Sequence, residues 1–282
     1  MIIRNMLPTD VEFAFKCTSS EGWEGETEEV FKSYLSWHPK GCFVAEIDSR
    51  KIGISVATPY HRNGFIGELI IIKEMRGNGY GKRVFKHTVD HLKSCGSENI
   101  YLDADPDAVS LYEGFGFKRT TQTLRFIGKM EETKISPVNN MSAADLEDVC
   151  RLDNKLFADD RSFFLKRRFE LFPELCWIVR NNAAIKGYIF GRPGVNIISV
   201  APLVILDNNK STAVALMQAI AKETGGQTLY GSALASNKDA VTFFQSLENF
   251  KQKTPGWYMV LGDSENLGTD NKLYTIGSAA KG

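Results

Sequence analysis

Cysteine is scarce and scattered. The five residues Cys17, Cys42, Cys95, Cys150 and Cys176 are odd in number and form no CxxC pair. That argues against a disulfide framework or a zinc knuckle and for reduced, mostly buried thiols. An excess of charge of one sign is also missing, since 34 Lys+Arg balance 34 Asp+Glu. A protein that holds nucleic acid by a global basic surface is thereby disfavoured. No apolar run approaches the ~18 residues a membrane span needs, and Met1-Ile2-Ile3-Arg4-Asn5 opens no long apolar stretch of the signal-peptide kind. The expectation is a soluble, cytoplasmic protein with no nucleic-acid or membrane partner. Histidine is rare as well. His87 and His91 are four apart on a predicted helix but have no evident third ligand, so they read as a solvated helix face and no metal is expected.

What the chain does have is length and apolar content for two domains. Its 282 residues are 43% hydrophobic, with 18 Phe. The first half reads as mixed α and β. Thr9–Thr18 and Glu26–Trp37 are predicted helices with Thr9 and Thr27 as N-caps. Gly41–Ile47, Lys51–Thr58 and Gly64–Ile72 are predicted strands, the first two joined by a turn at Asp48-Ser49-Arg50. Tyr80–Ser94 sets Val84, Phe85, Thr88, Val89 and Leu92 on one helical face and ends at Gly96. A strand at Asn99–Ala104, a short helix at Asp107–Glu113 and a strand at Phe117–Ile127 follow, and Gly128–Pro137 reads as a linker.

Beyond the linker the chain repeats itself. Asn5-Met6 with Asp10-Val11-Glu12 recurs as Asn140-Met141 with Asp145-Leu146-Glu147. Phe43-Val44-Ala45 and Gly53 recur as Trp177-Ile178-Val179 and Gly187, and Asp107-Ala108-Val109 with Tyr112 recurs as Asp239-Ala240-Val241 with Phe244. Their order and near-constant offset indicate a duplication of one fold. The domains expected are 1–130 and 138–282. The copies differ in one place above all: Arg76-Gly77-Asn78-Gly79-Tyr80-Gly81 falls on Lys210-Ser211-Thr212-Ala213-Val214-Ala215, where no glycine remains.

That segment carries the chemistry. An apolar strand ends at Arg76, three glycines follow at alternate positions, and a helix begins. A helix N-terminus offers unpaired N–H groups and positive dipole charge, and glycines let backbone approach a diphosphate closely. Arg76 and Lys82 add charge. The Walker spacing fails because Arg83 follows Gly81-Lys82, and the dinucleotide fingerprint fails at Lys82 and Val84.

Arg76-Gly77-x-Gly79-x-Gly81, with Leu111-Tyr112-Glu113-x-Phe115-Gly116-Phe117 downstream, resembles the GNAT (Gcn-five-related) N-acetyltransferase superfamily. The resemblance is specific over residues 1 to about 127. The second half, through Gly187-Tyr188-Ile189-Phe190-Gly191-Arg192-Pro193-Gly194, looks like the C-terminal domain of tandem, YitH-like acetyltransferases. The fold implied is α+β: two tandem GNAT-like domains, each a mostly antiparallel sheet splayed at its centre and flanked by helices. Acetyl-CoA is the implied co-substrate, with no metal. Leu69, Ile70 and Ile71 would hold the pantetheine arm, and Arg76, Gly77, Asn78, Gly79, Tyr80, Gly81 and Lys82 the pyrophosphate. Tyr112 would protonate the departing thiolate, its alternative being an aromatic that closes the core.

Glu68 is a candidate base through water. It is placed by period-two alternation on the face of Ile70 and Ile72, and it could equally bind a cationic substrate or cap a strand. Glu21 and Trp23 are candidates to line the site of an amine acceptor, small molecule or peptide, with Trp23 alternatively a core residue. The family often has asparagine seven residues before its tyrosine; this chain has Asp105 there and Asn237 in the second copy. The leading expectation is an N-acetyltransferase with one working module, the second completing its acceptor pocket or stabilising it. The alternative is an acyl-CoA-binding scaffold without turnover, and a further reading gives the second copy a site at Ser211 and Thr212.

Overall fold

The computed structural model describes residues 1–131, 138–182, 184–207, 209–263 and 266–277. The chain divides into two compact units, one built from 1–118 with 259–263 and the other from 119–258 with 266–277. Among the described residues no helix is long and apolar enough to cross a membrane.

The first unit runs β1 (Ile2–Asn5), α1 (Val11–Ser20), α2 (Glu28–Trp37), β2 (Cys42–Ile47), β3 (Arg50–Pro59), β4 (Asn63–Ile71), α3 (Tyr80–Ser94), β5 (Asn99–Ala104) and α4 (Val109–Glu113). Thr27 stands at the N-cap of α2 as predicted. Helix α1 starts later than predicted, because Pro8–Asp10 forms a separate 3-10 turn and Asp10, not Thr9, precedes the helix. Asp48 and Ser49 both take positive φ, 47° and 64°, which suits a two-residue hairpin turn between right-twisted strands. The apolar stripe of α3 is buried along its length, and Gly96 at φ 89° closes the helix while the Ser97 N–H returns to the Leu92 carbonyl at 3.1 Å. Strands β1 to β4 pair antiparallel in order.

The second unit runs β6 (Lys118–Gly128), β7 (Asn139–Asn140), α5 (Ala143–Phe157), α6 (Ser162–Leu171), β8 (Cys176–Asn181), β9 (Ala184–Pro193), β10 (Ile198–Ile205), α7 (Lys210–Glu223), β11 (Leu229–Leu234), α8 (Lys238–Gln245) and β12 (Phe250–Gln252). A last strand, β13 (Gly256–Leu261), has its residues shared between the units. Strands β7 to β10 pair antiparallel in order, and β6 pairs antiparallel with β11, Leu124 opposite Ala233. The fold class is therefore α+β, mostly antiparallel sheet flanked by helices, with the parallel β4–β5 and β10–β11 pairings each confined to a few residues.

The duplication holds at the level of register. Asn5 lies opposite Phe43 in one unit and Asn140 opposite Trp177 in the other. Ala45 faces Gly53 as Val179 faces Gly187. Each unit has its own core: Phe31, Phe65, Phe85 and Tyr101 are fully buried in the first, Phe157, Phe190, Phe243 and Phe244 in the second. Burying a Phe side chain contributes about 1.5–3 kcal/mol, so each core is substantial without the other.

Candidate active site

The site of the first unit is built by two irregularities in β4. The first is a splay. Strand β5 runs parallel to β4 only at Asn63–Asn99, Gly64–Ile100 and Phe65–Tyr101. Beyond Phe65 the two strands part, and Leu69, Ile70 and Ile71 lie on the parted arm. The second is a bulge. Val56 pairs with Gly67 but Ile54 with Ile70, so β4 carries one residue more than β3, and Glu68 sits there at φ 53°. A bulge bends its strand and re-aims side chains. The alternation predicted to put Glu68 on the face of Ile70 is therefore not continuous, a correction that Gly67 within the strand pattern could have signalled. Glu68 is buried and accepts a hydrogen bond from the Tyr34 hydroxyl of α2 at 3.3 Å, a partner the sequence did not reveal.

The cradle follows directly. Gly77 and Gly79 adopt φ 78° and 75°, a conformation in which a side chain is strained, and Gly79 is the N-cap of α3. Among the described residues the N–H groups of 77–82 find no acceptor within the chain, and Arg83 is the first to bond, to the Gly79 carbonyl at 3.3 Å. Gly81 has no such backbone need: a Cβ there would meet only Ile71 Cγ1, at 3.7 Å. Its lack of a side chain leaves the helix end open rather than satisfying the fold. Tyr80 is half-exposed and Lys82 is exposed.

Arg76 turns away from the open N–H groups. Its Nε donates to the Ile71 carbonyl at 2.8 Å and its guanidinium pairs with Glu21 at 2.6 Å. Asn78 is likewise turned to backbone, donating to the carbonyls of Arg76 and Met75. Glu21, at the C-cap of α1, is thus brought to the cradle loop through Arg76. Trp23 is half-buried two residues on, its N–H bonded to the Thr18 carbonyl.

Tyr112 lies on α4, just after β5. Its ring packs on Phe85 of α3, centroids 4.8 Å apart, and on Phe117 at 6.3 Å. Burial first, then the charges of Asp105 and Asp103, push its hydroxyl well above the ordinary tyrosine pKa, so it keeps its proton at neutral pH.

The second unit repeats the scaffold without the opening. Strands β10 and β11 again pair over two residues only, Ile198–Leu229 and Ser199–Tyr230, and β10 again bulges, between Val200 and Leu203 at Ala201-Pro202. Pro202 stands where Glu68 stands and has no N–H. The α7 N-terminus is filled by the chain itself. The Asn209 side chain accepts from the Ser211 N–H at 3.0 Å, the Thr212 N–H bonds the Asn209 carbonyl at 3.0 Å, and the Asp207 carboxylate accepts from the Thr212 hydroxyl at 3.0 Å. Ser211 and Thr212 are thus committed to the helix end. Phe244 is fully buried and stacks on Phe126 at 4.8 Å. Asn237 caps α8 through the Ala240 N–H and ties down the Asn271 and Leu273 carbonyls, a structural use of the asparagine.

The histidines lie differently from the solvated face expected. His91 is half-buried and its Nε2 meets that of His38 at 2.8 Å; His87 stays exposed, edge-on to Phe43. Burial lowers the pKa of both His38 and His91, with Lys40 adding to the first and the other imidazoles to the second.

A profile of the Acetyltransferase (GNAT) family matches residues 9–117 and a second Acetyltransferase (GNAT) domain profile matches 149–275. The chain therefore belongs to the GNAT acetyltransferases, as a tandem of two such domains, and is an acyltransferase by class. In sequence it is similar to N-alpha-acetyltransferase 30 of Schizosaccharomyces pombe, 31% identical over 111 residues covering 36% of this chain and 74% of that protein. It is also similar to holothin acyltransferase of a Pseudoalteromonas species, 24% identical over 53% of this chain and 51% of that one. In fold it is similar to a crystal structure from Pyrococcus horikoshii of a protein assigned as an acetyltransferase, with TM-score 0.83, 24% identity, and 100% and 95% of the chains covered. A tandem GNAT protein from the clavulanic acid biosynthesis pathway aligns at TM-score 0.64 and 11% identity over 94% and 99%.

Proposed function

We propose that this protein transfers an acetyl group from acetyl-CoA to a primary amine, and that the module of residues 1–130 does the work. The observation that supports this most is the run of N–H groups at 77–82 left without acceptors at a helix N-terminus, beside a parted strand. A diphosphate supplies the acceptors such a cradle lacks. Lys82 adds a cation that makes no ion pair among the described residues, whereas Arg76 acts as a brace that holds the loop to Ile71 and Glu21. The freed backbone edge at Leu69–Ile71 suits the amide groups of a pantetheine arm and the thioester carbonyl.

In the reaction the amine nitrogen attacks the thioester carbon. The C–N bond forms, the C–S bond breaks, one amine proton leaves to water or base, and the thiolate takes a proton. Tyr112, kept protonated by burial, is the donor of that proton. Glu68, at the bulge and held by Tyr34, is the base acting through water. Glu21 and Trp23 sit in the α1–α2 loop, where they would face the acceptor.

The acceptor is an amine, from a small molecule or a peptide. The relatives support both: one is named for α-amino acetylation, the other for acylating holothin. The second module, 138–282, is a degenerate copy that stabilises rather than catalyses. The test is thiol release from acetyl-CoA over a panel of amines and peptides, with calorimetry for acetyl-CoA. Failure to bind acetyl-CoA overturns the reading; binding without transfer to any amine replaces it with a non-catalytic acyl-CoA-binding protein.

A further inference from the structure

At the far end of α3 from the cradle, three metal-ligating side chains converge. His38 follows the last residue of α2, and His91 and Cys95 are one turn apart at the end of α3. The two imidazole Nε2 atoms are 2.8 Å apart, and the Cys95 sulfur lies 3.5 Å from His91 Nε2 and 3.9 Å from His38 Nε2. A tetrahedral metal with bonds of about 2.0–2.1 Å to nitrogen and about 2.3 Å to sulfur holds its ligands roughly 3.3–3.6 Å apart. The three distances bracket that range, so small rotations of the side chains would admit an ion.

We propose that His38, His91 and Cys95 bind a divalent transition metal of the zinc class. The donor set carries the choice. Two imidazoles and a thiolate are borderline and soft, suited to Zn²⁺ or Co²⁺; among the described residues no carboxylate joins the cluster, so Mg²⁺ and Ca²⁺ are poor guests. Cys95 is exposed, which leaves the fourth position to water. The His91–Cys95 spacing of four places both ligands on one helix face, and His38 arrives from a separate segment.

The site would act as a clamp, not as a catalyst. Helix α2 carries Tyr34, which bonds Glu68, one turn before His38; α3 carries the cradle at its other end. The metal would tie those two helices together at their C-terminal ends. The second unit serves as an internal control. Phe172, followed by Pro173, occupies the place of His38-Pro39 and offers no ligand.

The experiment is a titration of the metal-stripped full-length protein with Co²⁺, read by its visible d–d bands and by the near-ultraviolet thiolate-to-Co(II) band, followed by Zn²⁺ displacement. The expected result is one equivalent bound with a thiolate band, and a Zn²⁺-dependent rise in the melting midpoint. Cys95→Ser should abolish the thiolate band, and both Cys95→Ser and His38→Asn should weaken Zn²⁺ more than about 100-fold, since loss of an outer partner alone costs 10–100-fold. No Co²⁺ binding, d–d bands without the thiolate band, or equal Zn²⁺ affinity in wild type and Cys95→Ser would each overturn the proposal. Cys95 is exposed, so its serine variant keeps the test decisive if His38→Asn does not fold.

Discussion

The two strand-to-helix turns of this chain occupy the same place in the same fold and have opposite character. At 77–82 the helix end is open, glycine-lined and, among the described residues, without internal acceptors; at 209–212 the Asn209 side-chain and carbonyl oxygens accept from the Ser211 and Thr212 N–H groups, and the Thr212 hydroxyl donates to Asp207. The bulge before each turn carries Glu68 in one copy and Pro202 in the other, and the aromatic after the next strand is Tyr112 in one and Phe244 in the other. The splay itself is present in both. The splay is thus common to both copies, and what differs is whether the polar groups of the turn are paired internally among the described residues.

Giving the first copy the residue of the second is the most severe way to break this contrast. Tyr112→Phe should lower the acetyl-transfer rate about 10²–10⁴-fold and leave acetyl-CoA affinity unchanged, read by thiol release and calorimetry. Because burial and then Asp105 and Asp103 raise the Tyr112 pKa, the acid form persists as pH rises. The rate profile should show no alkaline fall from this group up to about pH 10, the ordinary tyrosine value. An alkaline limb that vanishes in Tyr112→Phe would contradict that.

A paired comparison of stability comes next. Asp10 is buried, and although burial alone would raise its pKa, hydrogen bonds from Arg4 and Lys51 hold it well below the usual carboxylate range. Its counterpart Asp145 pairs with Arg180 nearer the surface. Asp10→Ala should cost about 1–3 kcal/mol in urea unfolding, and Asp145→Ala about 1 kcal/mol or less. The Asp10 pKa is depressed on folding. Its stabilisation is thus complete above the unfolded value near 4 and is lost as pH falls below it, so the difference between the two variants should shrink in acid.

Binding stoichiometry sharpens the contrast further. We expect one acetyl-CoA per chain; two would show that the self-capped turn still opens. The smallest effect has the most telling sign. Gly81 has room for a methyl group, and the second copy has Ala215 at that position. Gly81→Ala should leave stability unchanged or raise it by about 0.5–1 kcal/mol while weakening acetyl-CoA about tenfold or more, a loss of at least about 1.4 kcal/mol. A variant both less stable and unchanged in binding would assign Gly81 to the fold instead.

Much of this was legible in the residues. Period and punctuation placed α3 at Tyr80–Ser94 and β5 at Asn99–Ala104 to the residue, because an amphipathic stripe and flanking glycines are local signals. The repeat was readable because a shared register demands like residues at like offsets. What stayed hidden was non-local: the bulge at Glu68, its Tyr34 partner, the Arg76–Glu21 pair and the approach of His38 to His91 all join segments more than 30 residues apart or depend on strand register. Arg76 is the instructive case. Its position in the motif pointed to the phosphates, and the fold gives its guanidinium to a carbonyl and a carboxylate.

The unit that carries the open cradle is assembled from two distant stretches, 1–118 and 259–263. For a chain made from its N-terminus this fixes a schedule. At synthesis rates of roughly 5–20 residues per second, the first stretch waits on the order of ten seconds or more for the last piece of its own unit. The first unit is thus completed only after residues 119–258 of the second have been translated. A stop codon or frameshift between residues 119 and 258, within the second unit, deprives the first of residues 259–263.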